Sequence, residues 1–182
     1  MIGETILKQA RNDLEHRVTA LNSVQFGDVI SRDFSFEEIR AGFERGAMST
    51  WIKPLLGKGN DHAAIYRISV NNKAGADRLR HAFVNYDPQD GHVLSRNNEI
   101  TNSTVVYVGS SQKFGQRLQQ HLHTCAAGTY ALKMNLWCPD ADNRICVEVQ
   151  MVRGAVEASL VQDIEDALWR ISRPIFGKFG SR

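Results

Sequence analysis

Arg117 and His121 stand four residues apart in the segment KFGQRLQQHL, a spacing that sets a guanidinium and an imidazole one helical turn apart on a single face. Immediately upstream, Val105, Val106 and Val108 favour a strand carrying Tyr107, Gly109 relaxes the chain into a turn, and Ser110 or Ser111 offers a helix cap. Phe114, Leu118 and Leu122 form the apolar stripe that would seat this helix. A fixed cation can neutralise charge on a phosphoryl group, and an imidazole and a phenol can order water or move a proton, so the set is suited to cutting phosphodiesters. Taken singly, a helical Arg or His is ordinary surface, a strand Tyr ordinary packing and a Gly an ordinary turn. Their joint order carries the reading.

Other elements must position these groups. Glu4–Leu21 has the period of an amphipathic helix, with Leu7, Leu14 and Leu21 on one stripe beside Ala10 and Val18; it can pack on the main domain or pair with a second copy. Ser35 followed by early glutamates predicts a second, short helix. Pro54, Gly57 and Gly59 mark a boundary, giving a helical arm and linker over 1–59 and a main domain over 60–182. A strand over 63–70 carries Tyr66 and reads as covered on both faces. Asn71–Ser103 is a long insertion, helical over about 74–86, with a turn at Asp87–Gly91. Leu132 and Leu136 favour a helix in 129–137, Arg144–Val152 alternates as a strand, and Val156–Ile171 is a helix with Leu160, Ile164, Leu168 and Ile171 on its buried stripe. Arg173-Pro174 ends it. The expected class is α+β, a small three-stranded, mainly antiparallel sheet flanked by helices, with an N-terminal helical arm.

A chain of 182 residues, 42% apolar and 23% charged, suits one globular domain with an appended helical segment. No run approaches the roughly 20 apolar residues that span a bilayer, and the start lacks the layout of a secretion signal, so an intracellular, cytoplasmic location is expected. Cys125, Cys138 and Cys146 are odd in number and widely spaced, which argues for reduced thiols. His121, His123 and Cys125 invite zinc, but helical geometry sets His123 nearly opposite His121. With a net charge of +2, contact with nucleic acid must come from local clusters: Arg78, Arg80, His81, Arg96, Lys113 and Arg117, and at the C-terminus Arg170, Arg173, Lys178 and Arg182.

In order, these pieces resemble the GIY-YIG nuclease family. Ala64-Ile65-Tyr66 stands for the first signature and Tyr107-Val108-Gly109 for the second, followed by Arg117, His121, Glu165 on a later helix and Pro174. The resemblance covers about 63–180. Ala64 stands where the family has glycine, the Tyr66–Tyr107 gap is longer than usual, and Gly177 stands where the family often has asparagine. What it implies is a divalent-metal-dependent endonuclease hydrolysing DNA, of restriction, repair or mobile-element type, using Mg2+ or Mn2+.

Glu165, at the edge of its helix's apolar stripe, is the carboxylate expected to hold the metal, with Asp163 and Asp166 facing outward. Arg117 would stabilise the transferring phosphoryl group, Tyr66 and Tyr107 would order water with one as general base, and His121 would relay a proton. Gly109, Ser110, Lys113, Arg78, Arg80 and Arg96 would contact substrate. DNA is the expected partner, with a homodimer open because a cutter of both strands needs two sites. The alternative is a catalytically inactive nucleic-acid-binding module of the same fold. Ser110-Ser-Gln-Lys113 also fits the Ser-x-x-Lys of serine acyl enzymes, but it lacks their companion motifs and a helix cap accounts for the serines.

Overall fold

Four strands, rather than three, form the sheet. In the computed structural model residues 2–43, 50, 51, 53, 63–88, 91–123 and 126–180 are described; the Pro54–Gly59 boundary, Cys125 and Arg182 lie outside them. Helix α1 (Ile2–Ser23) leads into β1 (Gln25–Ser35) and α2 (Phe36–Ala41), followed by β2 (Ala64–Val70), α3 (Lys73–Asn85), β3 (Val105–Ser111), α4 (Phe114–Leu122), β4 (Arg144–Arg153) and α5 (Ala158–Ser172). The order across the sheet is β1-β4-β2-β3, with every pair of neighbours antiparallel.

The strand missing from the three-stranded expectation is β1, which lies in the segment read as a helical arm and pairs with β4 from Gln25 opposite Arg153 to Ser35 opposite Arg144. As an edge strand with one neighbour it has little to bury, and of its residues only Phe34 is fully enclosed. Gly27, Asp28 and Asp33 break the alternation that would announce a strand. Its end is legible: Ser35 Oγ accepts from the Glu38 amide while the Glu38 carboxylate accepts from the Ser35 amide, the reciprocal cap that starts α2.

Register decides which side chains meet. Tyr66 lies opposite Val149 on one side and Gly109 on the other, and Ile68 lies opposite Tyr107, so Tyr66, Ile68, Tyr107 and Gly109 share one face. That face packs against Ile39 of α2, Leu79 of α3, and Phe114, Leu118 and Leu122 of α4. On the other face Ile65 and Val152 pack with Val161, Ile164 and Leu168 of α5. Ala64, Ile65 and Tyr66 are therefore all buried, as a doubly covered strand requires.

Two helical readings change. Ile171 is 82% exposed, not part of the stripe of α5. The helix stops at Ser172, Arg173 turns left-handed (φ 47°), and Ile175 and Phe176 take the buried places by hydrogen-bonding along β3 at Val105 and Val106. In 129–137 only Met134–Leu136 is helical, as a single 3-10 turn, because the left-handed Lys133 (φ 50°) interrupts the segment. Among the described residues no helix is long and apolar enough to cross a membrane.

Candidate active site

Strand β3 and helix α4 supply one half of the site. Ser111 Oγ accepts from the Lys113 amide at 3.0 Å to tighten the turn, and α4 then buries Phe114, Leu118, His121 and Leu122 against the sheet. Burying that stripe carries Arg117 and His121 to the tyrosine pair. The Tyr66 and Tyr107 rings stack with centroids 6.2 Å apart, and the His121 ring lies 4.2 Å from that of Tyr107. Gly109 makes the approach possible, since a Cβ there would sit 2.5 Å from Tyr66 Oη and 2.9 Å from Tyr107 Cε1. Gly177, at φ 114°, lets the segment after α5 run against the other side of Tyr107, where a Cβ would lie 3.1 Å from Cε2.

Hydrogen bonds fix the protonation of this cluster. The Leu132 amide can only donate, so His121 Nδ1, 3.3 Å away, is the acceptor and Nε2 carries the proton. Nε2–H therefore donates to Tyr66 Oη at 3.0 Å. Burial holds the His121 pKa well below its usual value, and the nearby Arg117 charge lowers it further. With both ring nitrogens engaged, His121 is a fixed donor to Tyr66 rather than a zinc ligand. Burial also raises the pKa of Tyr66 well above the usual phenol value, Tyr107 adding to the rise and Arg117 opposing it. Tyr107 is raised by burial and lowered by Arg117. Both are neutral phenols near pH 7.

Neutral burial of His121 has a consequence for stability. Unfolded, the ring takes a proton near 6.5, whereas folded it does so only well below that value. Stability should therefore be full above about pH 6.5 and fall below it, by up to about 1.4 kcal/mol per pH unit. Denaturant titrations from pH 8 to 5, taken as wild type minus His121→Gln so that carboxylates cancel, check this. A difference independent of pH would contradict the buried neutral imidazole.

The guanidinium of Arg117 is aimed by three acceptors: Tyr130 O at 2.8 Å and Gln120 Oε1 at 3.0 Å from Nη1, and Tyr107 Oη at 3.3 Å from Nη2. Its own pKa is raised: burial pulls it down, but Tyr66 and Tyr107 outweigh that.

Helix α5 supplies the other half from the opposite face. Ser110, next to Gly109 and so pointing the other way, donates to Glu165 Oε2 at 2.5 Å. Burial raises the Glu165 pKa; Ser110 and Arg117 pull it down while Asp166 pushes it up. Gly109 and Ser110 are neighbours on β3, so the two halves flank one stretch of that strand, and the Glu165 charge adds to the rise in the pKa of Tyr66 and Tyr107. Asp163 does not face solvent but pairs with Arg17 of α1 at 2.5 Å, and Asp166, half-buried, accepts from Gln162 at 2.8 Å.

Among the described residues no three or more His, Cys, Asp or Glu side chains converge. One half-buried carboxylate fits a hard ion that keeps most of its waters and takes the rest of its oxygens from substrate, as Mg2+ does. It does not fit zinc, which wants nitrogen or sulfur donors.

The structure thus brings together Tyr66, Tyr107, Arg117, His121, Glu165, Gly109 and Ser110. Lys113 is exposed at the rim, in a shallow groove of about 360 Å³ shared with Ser111, Gln112, Gln116, Arg117 and Gln120. Arg96 lies at the margin: its amide donates to Tyr130 Oη at 2.7 Å and its carbonyl accepts from Gly177. Arg78 is elsewhere. It donates to Asn143 Oδ1 at 2.8 Å, just before β4. That anchor is six residues, about 20 Å of extended chain, from the Val149 that faces Tyr66. Arg80, half-buried on the same helix, bonds to none of the site groups. Ser110 serves first as the partner of Glu165. Absent from the expectation were the Tyr130 carbonyl and the Leu132 amide, backbone groups that no residue type announces. Compared with models of protein families, with curated proteins and with solved structures, the chain matches none.

Proposed function

We propose that the site hydrolyses phosphodiester bonds in DNA with the aid of one divalent cation, Mg2+ or Mn2+, held by Glu165, in keeping with the resemblance to GIY-YIG nucleases. The observation that carries the reading is the convergence of a half-buried carboxylate, an aimed guanidinium and two stacked phenols at one sheet edge. The cation supplies charge neutralisation at the phosphate and a lowered pKa for water. Arg117, its fork held open by Tyr130 and Gln120, stabilises charge developing on the phosphoryl oxygens. Tyr66 Oη already accepts from His121 and Tyr107 Oη from Arg117, so each hydroxyl's own proton is free to be directed at water. To act as general base, one of the two would first have to release that proton to solvent, a loss that the Arg117 guanidinium favours and burial opposes. Lys113 and Arg96 contact the phosphate backbone. Where the resembling family often has asparagine, the positive φ of Gly177 and its closeness to Tyr107 require glycine.

Incubating supercoiled plasmid with the protein and Mg2+, Mn2+ or a chelator tests the reading: metal-dependent nicking supports it. A second reading, a nucleic-acid-binding module without turnover, is favoured because no three or more His, Cys, Asp or Glu side chains converge among the described residues and burial disfavours the charged form of Glu165. DNA binding that persists in chelator, with no cutting in any metal, would establish it.

A cytoplasmic location is part of the same proposal: DNA is the proposed substrate, and Cys138 and Cys146 are free thiols, as a reducing compartment would keep them. The same function gives a homodimer a purpose, and α1 offers the surface. Residues 3–16 are exposed, and Ile6, Leu7, Leu14 and Val18 are 56–63% exposed along a stripe whose other end, at Arg17, packs on α5. Packed antiparallel with Leu7 over the partner's Val18, two copies would set Arg11 of each near Glu15 of the other. Light scattering should show a dimer for wild type and a folded monomer for Leu14→Asp. A monomeric wild type would remove this assembly.

A further inference from the structure

Lys133 is fully buried, an unusual place for an ammonium, and its backbone is left-handed with φ 50° and ψ 48°. Its Nζ donates to Ala127 O at 2.6 Å, Ala126 O at 3.2 Å and His92 Nδ1 at 3.1 Å. Three ammonium protons thus meet three neutral acceptors.

Those contacts tie the two ends of the segment 126–133 together and fasten it to 92–95. The Val93 amide donates to Ala127 O and the Ser95 amide to Ala131 O. Between the tied ends lie two backbone groups that the site uses: the Tyr130 carbonyl, 2.8 Å from Arg117 Nη1, and the Leu132 amide, 3.3 Å from His121 Nδ1.

We propose that Lys133 is a positioning residue: its buried ammonium closes the 126–133 loop so that the Tyr130 carbonyl aims Arg117 and the Leu132 amide holds His121 in its Nε2–H form. Without the charge, Ala126 O and Ala127 O lose their shared donor, and the loop is left with the Val93 and Ser95 amides and Trp137 Nε1 on Leu132 O, which fasten it to its neighbours but do not tie residue 133 back to 126 and 127. Leu132 N–H then no longer selects one tautomer, and Tyr66 loses its fixed donor. The tautomer effect stands on geometry alone; only the catalytic consequence rests on the nuclease reading.

The experiment records the ring-nitrogen NMR signals of His121 in the uniformly 15N-labelled full chain, for wild type and Lys133→Met, together with kcat and KM on DNA. Expected are a single Nε2–H pattern in wild type and a mixed-tautomer pattern in the folded variant. Turnover should fall about 10- to 100-fold with KM little changed, the cost of a misaimed group. A variant that keeps the single Nε2–H pattern overturns the proposal, as does a wild type lacking that pattern. If neither protein cuts DNA, the nuclease reading falls while the tautomer signals still decide the role of Lys133. Should Lys133→Met not fold, His92→Ala, which removes one acceptor at a half-buried position, should shift the same signals partway; unchanged signals there overturn the proposal too.

Discussion

Replacing Glu165 by glutamine is expected to lower metal-dependent DNA cleavage by about 1,000-fold or more while making the fold more stable at pH 8. The first effect follows because the amide is nearly the same shape but carries no charge to hold the proposed divalent cation, so the neutralisation and water activation that the cation would supply would be lost together. The second follows from the environment of the carboxylate. Burial raises its pKa in the folded state, so ionising it there costs more than in the unfolded chain. A raised folded value means that this group's favourable contribution is present below the unfolded pKa and lost as pH rises through the folded one. Glutamine bears no such cost, so its stability advantage over wild type should be present at pH 8 and fade toward pH 4. Plasmid cleavage together with melting curves at the two pH values checks both halves. A variant that cuts normally removes the metal assignment; one that melts earlier at pH 8 contradicts the buried-charge account.

Arg117→Ala should slow cleavage by about 100- to 1,000-fold, the usual effect of removing one preorganised donor from a developing oxyanion. Arg117→Lys should recover little of it. The guanidinium meets Tyr130 O, Gln120 Oε1 and Tyr107 Oη with one rigid fork, and an ammonium at the end of a flexible stem cannot reproduce that aim. Binding should change far less than rate, because one phosphate contact is a small part of a backbone interface at fixed salt. Fluorescence anisotropy with labelled duplex in chelator gives the affinity, and single-turnover cleavage gives the rate. A lysine variant with full activity, or an affinity loss as large as the rate loss, would show that Arg117 is only a backbone contact.

The placement of the candidate site's side chains was readable where periodicity and chemistry coincided. The i, i+4 spacing of Arg117 and His121 is a helix rule, and the buried stripe beside them leaves one way for the helix to sit. Glu165 was readable from the stripe of α5 for the same reason. Strand β1 was not, because an edge strand with one buried residue leaves little alternation in its sequence. Ile171 kept the period of a core residue but lies beyond the point where the chain turns back, and periodicity carries no record of where a helix outruns its support. Arg78 was assigned from charge alone, and only the register of β4 shows its distance from the tyrosines. The groups that aim Arg117 and His121 are a carbonyl and an amide, which every residue possesses, so their role exists only once the 126–133 loop is in place.

The most direct test of the central claim is a side-by-side incubation of supercoiled plasmid with wild type and Glu165→Ala, purified identically, in Mg2+, Mn2+ and chelator. Metal-dependent conversion to nicked or linear DNA by wild type, absent from the variant and from the chelator lanes, is the predicted result. Equal cutting by both proteins, or none by wild type on duplex or single-stranded DNA in either metal, would contradict a catalytic site built on Glu165.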